Sequence, residues 1–458
     1  MTASIPETIF RAYDIRGIVG DTLNQDIARW IGRAVAAENL ARGEKNIAVA
    51  RDGRLSGPDM LGALVEGLRA GGCNVINVGQ VPTPVLYYAA SVLPGVTSGV
   101  MVTGSHNPPD YNGFKIMLAG ETLSGDAIVA LYHRIQNEDL SEGAGTLEEK
   151  DISAEYLARI TGDIQLARPL KVVVDTGNGV AGELAPLLME QLGCEVVPLF
   201  TEIDGNFPNH HPDPGDPANM QDLIRVVAET KADIGLGFDG DGDRVGVITP
   251  KGELIFPDRL MMAYAEDVLK RVPGGRIIYD VKCSGNLATL IRSKGGEPEM
   301  WQTGHSLIKA RMKETGAPLA GEMSGHIFFE ERWYGFDDGL YAGARLLEIL
   351  AQQDVDADAF FARYPQDPST PEINIDVSDE KKFAVVERLV AEGEFGDGQR
   401  TTIDGLRVDF EDGWGLCRVS NTSPKLVTRY EGKTPEALQR IQTLFEQNIA
   451  DAMAKEGV

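Results

Sequence analysis

Three aspartates alternate with glycines in Gly237-Phe-Asp-Gly-Asp-Gly-Asp-Arg244, between the apolar runs 234–238 and 245–248. Carboxylates spaced this way can turn toward one hard cation, because glycine allows the tight backbone that gathers them. Without a cation they repel one another, and the plain alternative is an acidic hairpin turn. An EF-hand is excluded: its sixth position is Arg244 instead of glycine, its twelfth is Pro250 instead of glutamate, and strands flank the loop. An Asp-x-Asp pair after a strand also suits a phosphorylated carboxylate, with Asp239 as nucleophile. A second loop, Val102-Thr-Gly-Ser-His-Asn-Pro-Pro109, follows the apolar run Gly99 to Val102. A serine at a strand end, held by Gly and Pro conformations beside an imidazole, meets the conditions for a nucleophile or phosphate carrier. Taken alone, Asn-Pro-Pro is also an ordinary turn. It is not the G-x-S-x-G elbow, because Asn107 stands where the second glycine belongs.

The elements that position these loops are strands alternating with helices. Ile47 to Ala50, Val172 to Val174 and Ile277 to Tyr279 are apolar runs, and each reaches an aspartate and a polar loop before a helical pattern: Asp52-Gly53, Asp175-Thr-Gly-Asn-Gly179 and Asp280-Val-Lys-Cys-Ser-Gly285. The recurrence suggests three related α/β units, although strand-Asp-Gly-helix is also the default exit from a parallel strand. Beyond Tyr364-Pro-Gln-Asp-Pro368 the pattern changes. Ile373 to Val377 predicts a strand, Asp379 to Glu392 a helix, Thr401 to Phe410, Gly415 to Val419 and Lys425 to Tyr430 strands, and Pro435 to Ala454 an amphipathic helix. The expected architecture is three successive related α/β domains with mixed, largely parallel sheets plus a C-terminal antiparallel α+β domain, all around one central cleft. The expected boundaries are 1–150, 151–254, 255–365 and 366–458.

Composition limits the partners. The chain has 458 residues, three or four domains at about 150 residues each. With 43 Lys+Arg against 69 Asp+Glu it carries a net charge of −26, which disfavours nucleic acid and anionic membranes. Any cation in a cleft is therefore informative. Cys73, Cys194, Cys283 and Cys417 show no CxxC pairing, so reduced thiols are expected rather than a disulfide framework or a thiolate zinc site. The opening residues lack a basic region followed by an apolar run, and no run approaches a membrane span, so a cytoplasmic protein is expected.

Taken together, Thr103-Gly-Ser-His-Asn-Pro and Asp239-Gly-Asp-Gly-Asp-Arg resemble the α-D-phosphohexomutase superfamily, and within it the bacterial phosphomannomutase/phosphoglucomutase branch. The resemblance spans nearly the whole chain: Phe10-Arg-Ala-Tyr-Asp-Ile-Arg-Gly17, His210-His-Pro-Asp-Pro214, Gly304-His305, Gly321-Glu-Met-Ser-Gly-His326 and Arg418-Val-Ser-Asn-Thr-Ser-Pro424 follow in order. It implies a reversible shift of phosphate between O1 and O6 of glucose or mannose. Ser105 would carry the phosphoryl group, a 1,6-bisphosphate would form and turn over, and glucose 1,6-bisphosphate would act as activator. Asp239, Asp241 and Asp243 with a phosphoserine oxygen would bind Mg²⁺, and Arg244 would hydrogen-bond the phosphoryl group.

By the same resemblance, His326 is the favoured acid/base, supported by His305, Lys115, Arg16 and Tyr13. His106 and Gly304 would contact substrate. Glu322 and Ser324, two apart on an apparent strand, would grip the sugar hydroxyls. Arg418, Ser420, Asn421 and Thr422 would clamp the second phosphate, with Lys282 and Lys309 adding positive charge. The substrates would be small sugar phosphates and the enzyme a monomer. A haloacid-dehalogenase-like phosphatase, with Asp239 as nucleophile, would leave Ser105 idle. A binding-only protein would have lost Ser105 or an aspartate of the acidic loop, and both are present. Phosphoglucosamine mutase is the near alternative within the family, but its sugar loop usually reads Gly-Glu-Gln-Ser-Gly-His, and this chain has Met323.

Overall fold

The computed structural model describes residues 5–421 and 423–458. Lys171–Asp175 and Arg276–Asp280 are Val- or Ile-rich strands whose residues are almost all buried, as parallel strands covered by helices on both faces require. Each is an interior strand with a parallel neighbour on both sides. Lys171–Asp175 runs parallel to Glu195–Leu199 and Ile234–Phe238, and the latter turns back antiparallel into Val245–Ile248. Arg276–Asp280 runs parallel to Glu297–Trp301 and Leu319–Gly321, and the latter turns back into Ile327–Phe329. In the first sheet Asn46–Arg51 runs parallel to Asn74–Gln80 and Gly99–Val102, which turns back into Tyr111–Leu118.

The same unit thus occurs three times, a central strand with a parallel partner on each side, one of which reverses. The three reversing loops, 103–110, 239–244 and 322–326, carry Ser105, the aspartates and Glu322. Glu322 and Ser324 therefore lie on a turn after the strand Leu319–Gly321, a correction to the strand expected for them.

The last sheet is antiparallel throughout, in the order Ile373–Asp376, Lys425–Gly432, Gly413–Val419, Leu406–Phe410, Gln399–Thr401. Helices Asp379–Glu392 and Pro435–Glu456 accompany it, the second capped by the Thr434 hydroxyl with Pro435 in its first turn. The single strand expected over Thr401 to Phe410 is two strands. Asp404-Gly405 breaks it, with Gly405 at φ +76°, where an added Cβ would lie 2.4 Å from the Cys417 carbonyl oxygen.

One hydrophobic cluster runs through the first three units, joining Ala50 and Met101 to Val172 and Leu236 and to Tyr264 and Leu346. Its axis is the helix Gly339–Ala351, apolar nearly all round and buried at every residue. Asp338 caps that helix by accepting from Tyr341 N (2.9 Å) and also receives the Tyr156 hydroxyl (2.8 Å) from the second unit. The fourth unit has a separate core around Val385, Leu406, Tyr430 and Phe445. It meets the rest through a small apolar contact of Val281, Trp414 and Leu416. The four cysteines are free and buried. Among the described residues, no helix is long and apolar enough to cross a membrane.

Candidate active site

Ser105 sits on the first reversing loop with φ +48°, a left-handed conformation that costs energy unless the surroundings impose it. They do. Asp52, at the end of the central strand, accepts from the Thr103 hydroxyl (2.7 Å) and from Gly104 N (3.1 Å). It also pairs with Arg54 at 3.2 Å, and the Arg54 guanidinium, fully buried, donates to the carbonyls of Ser105, Asn107, Pro108 and Tyr111. An added Cβ on Gly104 would lie 2.2 Å from that guanidinium. Arg16 donates to the Thr103 carbonyl at 2.8 Å and pairs with Asp14. The loop is held from both sides, and Ser105 Oγ lies 3.3 Å from His106 Nδ1 and 3.3 Å from Asp239 Oδ2.

The acidic loop lies beneath Ser105. An added Cβ on Gly240 would stand 2.3 Å from the Ser105 carbonyl oxygen, which explains glycine there. Asp239, Asp241 and Asp243 are 0% exposed, and one oxygen of each lies within 4.8 Å of the others. Lys115 reaches across from the first unit to Asp241 (2.7 Å) and Asp243 (2.5 Å). Burial pushes Asp239 up to about 8 against the pull of Arg244, with Asp243 and Asp241 adding to the rise. Burial and Asp241 also raise Asp243. For Asp241 burial is overcome by Lys115, which holds its carboxyl well below the usual range. The loop is short of positive charge, and Asp241 Oδ1 and Asp243 Oδ1 are buried without a hydrogen-bond partner. An all-oxygen donor set with buried unpartnered oxygens fits a hard divalent cation.

Arg244 closes the loop, donating through Nε to Asp239 (3.1 Å) and through Nη1 to Asp213 (3.1 Å), and leaving a buried Nη2 unpartnered. The segment 210–215 braces it: His210 contacts Asp175 at 3.0 Å, and the Pro212 carbonyl accepts from Gly240 N at 3.1 Å.

The third reversing loop brings two imidazoles together, His305 and His326, with ring centroids 5.5 Å apart. Their surroundings pull them apart chemically. Burial and Lys309 hold His305 well below its ordinary value, so it is neutral. For His326 burial is outweighed by Asp243 (3.6 Å) and Asp337 (3.0 Å), which raise it toward the imidazolium. Lys309, expected to add charge to the cleft, instead pairs with Asp337 at 2.8 Å, behind the histidines. Glu322 accepts from Gly304 N (2.6 Å) and from the Ser324 hydroxyl (2.9 Å), so the two side chains do converge. Gly304, at φ +140°, lies against the Tyr13 ring, where an added Cβ would be 2.4 Å from a ring carbon.

From the fourth unit, Arg418 donates to Asp404 at 2.9 Å and keeps a buried Nη2 unpartnered. Asn421 donates to the Tyr13 hydroxyl, which itself donates to the Thr303 carbonyl at 2.6 Å, so three units meet at Tyr13. The Ser420 and Ser423 hydroxyls are 2.8 Å apart. Thr422 falls outside the described residues. Lys282, from the third unit, donates to Glu372 at 2.7 Å.

These groups share one cleft of about 360 Å³, lined by Ser105 and Lys115 from the first unit, Lys282, Glu322 and His326 from the third, and Arg418 from the fourth. Tyr13, Arg16, His106, Gly304, His305, Ser324, Ser420 and Asn421 also face it. The aspartates and Arg244 do not; they form the layer under Ser105. Larger surface depressions such as the one beside Pro435 and Arg440 hold none of this chemistry. Sequence reasoning missed Asp213, Asp337, Glu372 and Asp404 as site residues. Asp213 lay inside the quoted motif His210-His-Pro-Asp-Pro214 without being assigned a role, and Asp404 had the turn dipeptide Asp404-Gly405.

Models of the phosphoglucomutase/phosphomannomutase family match four successive stretches: alpha/beta/alpha domain I over residues 7–142, domain II over 154–252, domain III over 256–366 and the C-terminal domain over 372–447. The chain belongs to this family. A Pseudomonas aeruginosa phosphomannomutase/phosphoglucomutase is 60% identical over 446 residues, 97% of this chain and 96% of that protein. A Neisseria gonorrhoeae phosphoglucomutase is 53% identical over 451 residues, 98% of each chain. The crystal structure of a phosphoglucomutase/phosphomannomutase family protein from Burkholderia thailandensis superimposes with a TM-score of 0.94 at 55% identity, covering 98% of both chains.

Proposed function

We propose that this protein is a reversible phosphohexomutase that interconverts the 1- and 6-phosphates of glucose and mannose, with Ser105 as the phosphoryl carrier. The observation that carries the reading is the setting of Ser105. A buried hydroxyl, 3.3 Å from a metal-competent carboxylate, opens on a cleft whose cations, among them Arg16, Lys115, Lys282 and Arg418, come from three domains. In the forward direction the bond between phosphorus and Ser105 Oγ breaks and a bond to the free sugar hydroxyl forms. His326 is the acid/base: in its neutral form it takes the hydroxyl proton, and Asp243 and Asp337 stabilise the imidazolium that results. The 1,6-bisphosphate then turns, Ser105 Oγ attacks the opposite phosphate, and the proton returns to the sugar oxygen that is left.

Asp239, Asp241 and Asp243 would hold Mg²⁺ with a phosphoserine oxygen, and the bound ion would withdraw charge from the transferring group. The unpartnered Arg244 Nη2 serves the same phosphoryl oxygens. Lys115 and Arg16 supply further positive charge beside Ser105, and neutral His305 and His106 shape the pocket around it. Glu322 and Ser324 hold sugar hydroxyls, with Gly304 and Tyr13 closing over them. Arg418, Ser420, Asn421 and Thr422, with Lys282, hold the phosphate that is not reacting.

The four domains, divided near 150, 254 and 365, supply in turn phosphoserine, metal, sugar recognition and phosphate clamp. Free glucose 1,6-bisphosphate reloads a Ser105 that has lost its phosphate. We place the enzyme in the cytoplasm as a monomer acting on small sugar phosphates. Phosphorus NMR of the protein with Mg²⁺, a trace of glucose 1,6-bisphosphate and glucose, mannose or glucosamine 1-phosphate tests the reading. Glucose and mannose 6-phosphates should appear. Inorganic phosphate instead would indicate a phosphatase, and turnover of glucosamine 1-phosphate alone would indicate phosphoglucosamine mutase.

A further inference from the structure

Two cleft cations, Lys282 and Arg418, already hold carboxylates, and the two carboxylates are not alike. Asp404, beside Arg418, also accepts from the backbone N of Thr303 at 3.0 Å, and its side chain is 13% exposed. It is fixed from two directions. Glu372 is bound by Lys282 alone among the described residues, at 2.7 Å, and its side chain is 41% exposed while that of Lys282 is 7% exposed. One partner is anchored in the wall of the cleft and the other can swing into solvent.

Their places in the chain sharpen this difference. Lys282 follows the central strand Arg276–Asp280 of the third unit, where the Arg429 side chain grips its carbonyl and keeps the backbone in place. Glu372 immediately precedes the edge strand Ile373–Asp376 of the fourth unit, at the end of the connecting segment 365–371. The ion pair therefore bridges the two units at the cleft, and its carboxylate travels with the fourth. Burial works against a charged Glu372, but Lys282, then Arg429 and Arg418, overcome it and hold its carboxyl below the usual range. Glu372 is an anion.

We infer that Glu372 is an internal counter-anion that competes with the sugar phosphate for Lys282 and takes the ammonium back when the phosphate leaves. The inference rests on the proposed mutase reading of the cleft. Without Glu372 the buried ammonium would keep only Asp280, 3.9 Å away and beyond hydrogen-bond distance, which is costly, so a phosphate leaving it would leave slowly. With Glu372 at hand, one anion replaces another and Lys282 is not stranded. A mutase has particular use for this exchange, because its bisphosphate must let go of the clamp, turn and be gripped again within one catalytic cycle. The device lowers affinity for the phosphate and raises the rate of release.

The test is Glu372→Gln in the full chain, which keeps the shape and removes the charge. Calorimetric titration with glucose 6-phosphate should show about 3- to 10-fold tighter binding than the wild type. KM should fall with it, and kcat should fall as well once release limits turnover. Glu372→Asp should restore wild-type behaviour at least in part. In a Lys282→Met background the Glu372→Gln substitution should no longer tighten binding, because the cation competed for is gone. Equal or weaker binding by Glu372→Gln, with an unchanged melting temperature, would overturn the inference, as would tightening that persists without Lys282. Failure of the wild type itself to bind glucose 6-phosphate would instead overturn the reading of the cleft.

Discussion

The first three domains and the fourth are joined to the site in different ways. The first three share a hydrophobic core threaded by the helix Gly339–Ala351, and their reversing loops and the strands beside them lean directly on one another: Lys115 on Asp241 and Asp243, Ser105 on Asp239, His326 on Asp243. The fourth keeps its own core and reaches the rest mainly through buried hydrogen bonds and ion pairs. Arg407, stacked on Trp414 with its guanidinium carbon 3.9 Å from the ring centroid, donates to the Val281 and Cys283 carbonyls, and Glu431 receives Ser284 and Trp414. On the proposed reading, groups that must be aligned to a fraction of an ångström sit where moving one means moving a core, and groups that must grip and release sit on a domain attached through polar contacts and one small apolar patch.

Breaking the aligned part should have the largest effects. Stripping divalent cations with a chelator should depress turnover by several kcal/mol, on the order of a thousandfold, while leaving sugar-phosphate affinity within a few-fold. Equal activity in excess chelator would refute the assignment of the acidic loop. Asp52→Ala would strand the Arg54 guanidinium in the interior, and breaking such a pair costs about 3–5 kcal/mol. A large drop in melting temperature, with loss of Ser105 phosphorylation, is expected. An unchanged melting temperature would show that the Ser105 loop does not depend on its anchor.

Disturbing the gripping part should do less, and differently. Arg418→Ala removes one charge-assisted contact worth roughly 1.5–3 kcal/mol, so KM should rise about 10- to 150-fold for glucose and mannose substrates alike. An effect confined to one sugar would contradict a role blind to C2. Pro368→Gly loosens the connection between the third and fourth domains, where the Pro368 carbonyl accepts from Gly432 N at 3.0 Å. It should raise bisphosphate escape a few-fold and make activity depend more on added bisphosphate, with the first transfer nearly unchanged. Slowed first transfer without extra escape, seen in quenched single turnovers, would assign this segment to positioning instead.

The two parts also differed in how readily sequence disclosed them. The repeated strand-Asp pattern announced the three α/β units because a buried parallel strand has few ways to be written and fewer ways to end. Helix Asp379–Glu392 was legible to the residue, and the central strands were short by one residue at their ends. Ser105 and the three aspartates stood out because their chemistry is compressed into single loops.

The supporting carboxylates did not stand out, since their meaning lies in partners the fold brings from elsewhere. Asp337 matters through Lys309 and His326, Asp213 through Arg244, and Glu372 through Lys282. Asp404 was hidden for a different reason: β-branched residues on both sides of Asp404-Gly405 read as one continuous strand. The second domain shows how far the repeat itself can be trusted. Asp52 and Asp280 each accept from the backbone N of the second residue in their reversing loop, Gly104 (3.1 Å) and Met323 (3.2 Å). Asp175 instead holds His210, and the adjoining Pro212 carbonyl takes the corresponding Gly240 N. The pattern of strands is the same in all three, but in the second the segment bearing Asp213 is interposed, which the sequence repeat does not show.

The central claim is that Ser105 carries the phosphoryl group between the two ends of the sugar. Intact-mass spectrometry of freshly purified protein, before and after incubation with glucose 6-phosphate, with the phosphorylated peptide sequenced, tests it directly. A substantial fraction should carry one phosphate on Ser105, which passes to the sugar, and Ser105→Ala should carry none. A phosphate mapped to Asp239, or a Ser105→Ala protein that still interconverts glucose 1- and 6-phosphate, would contradict it.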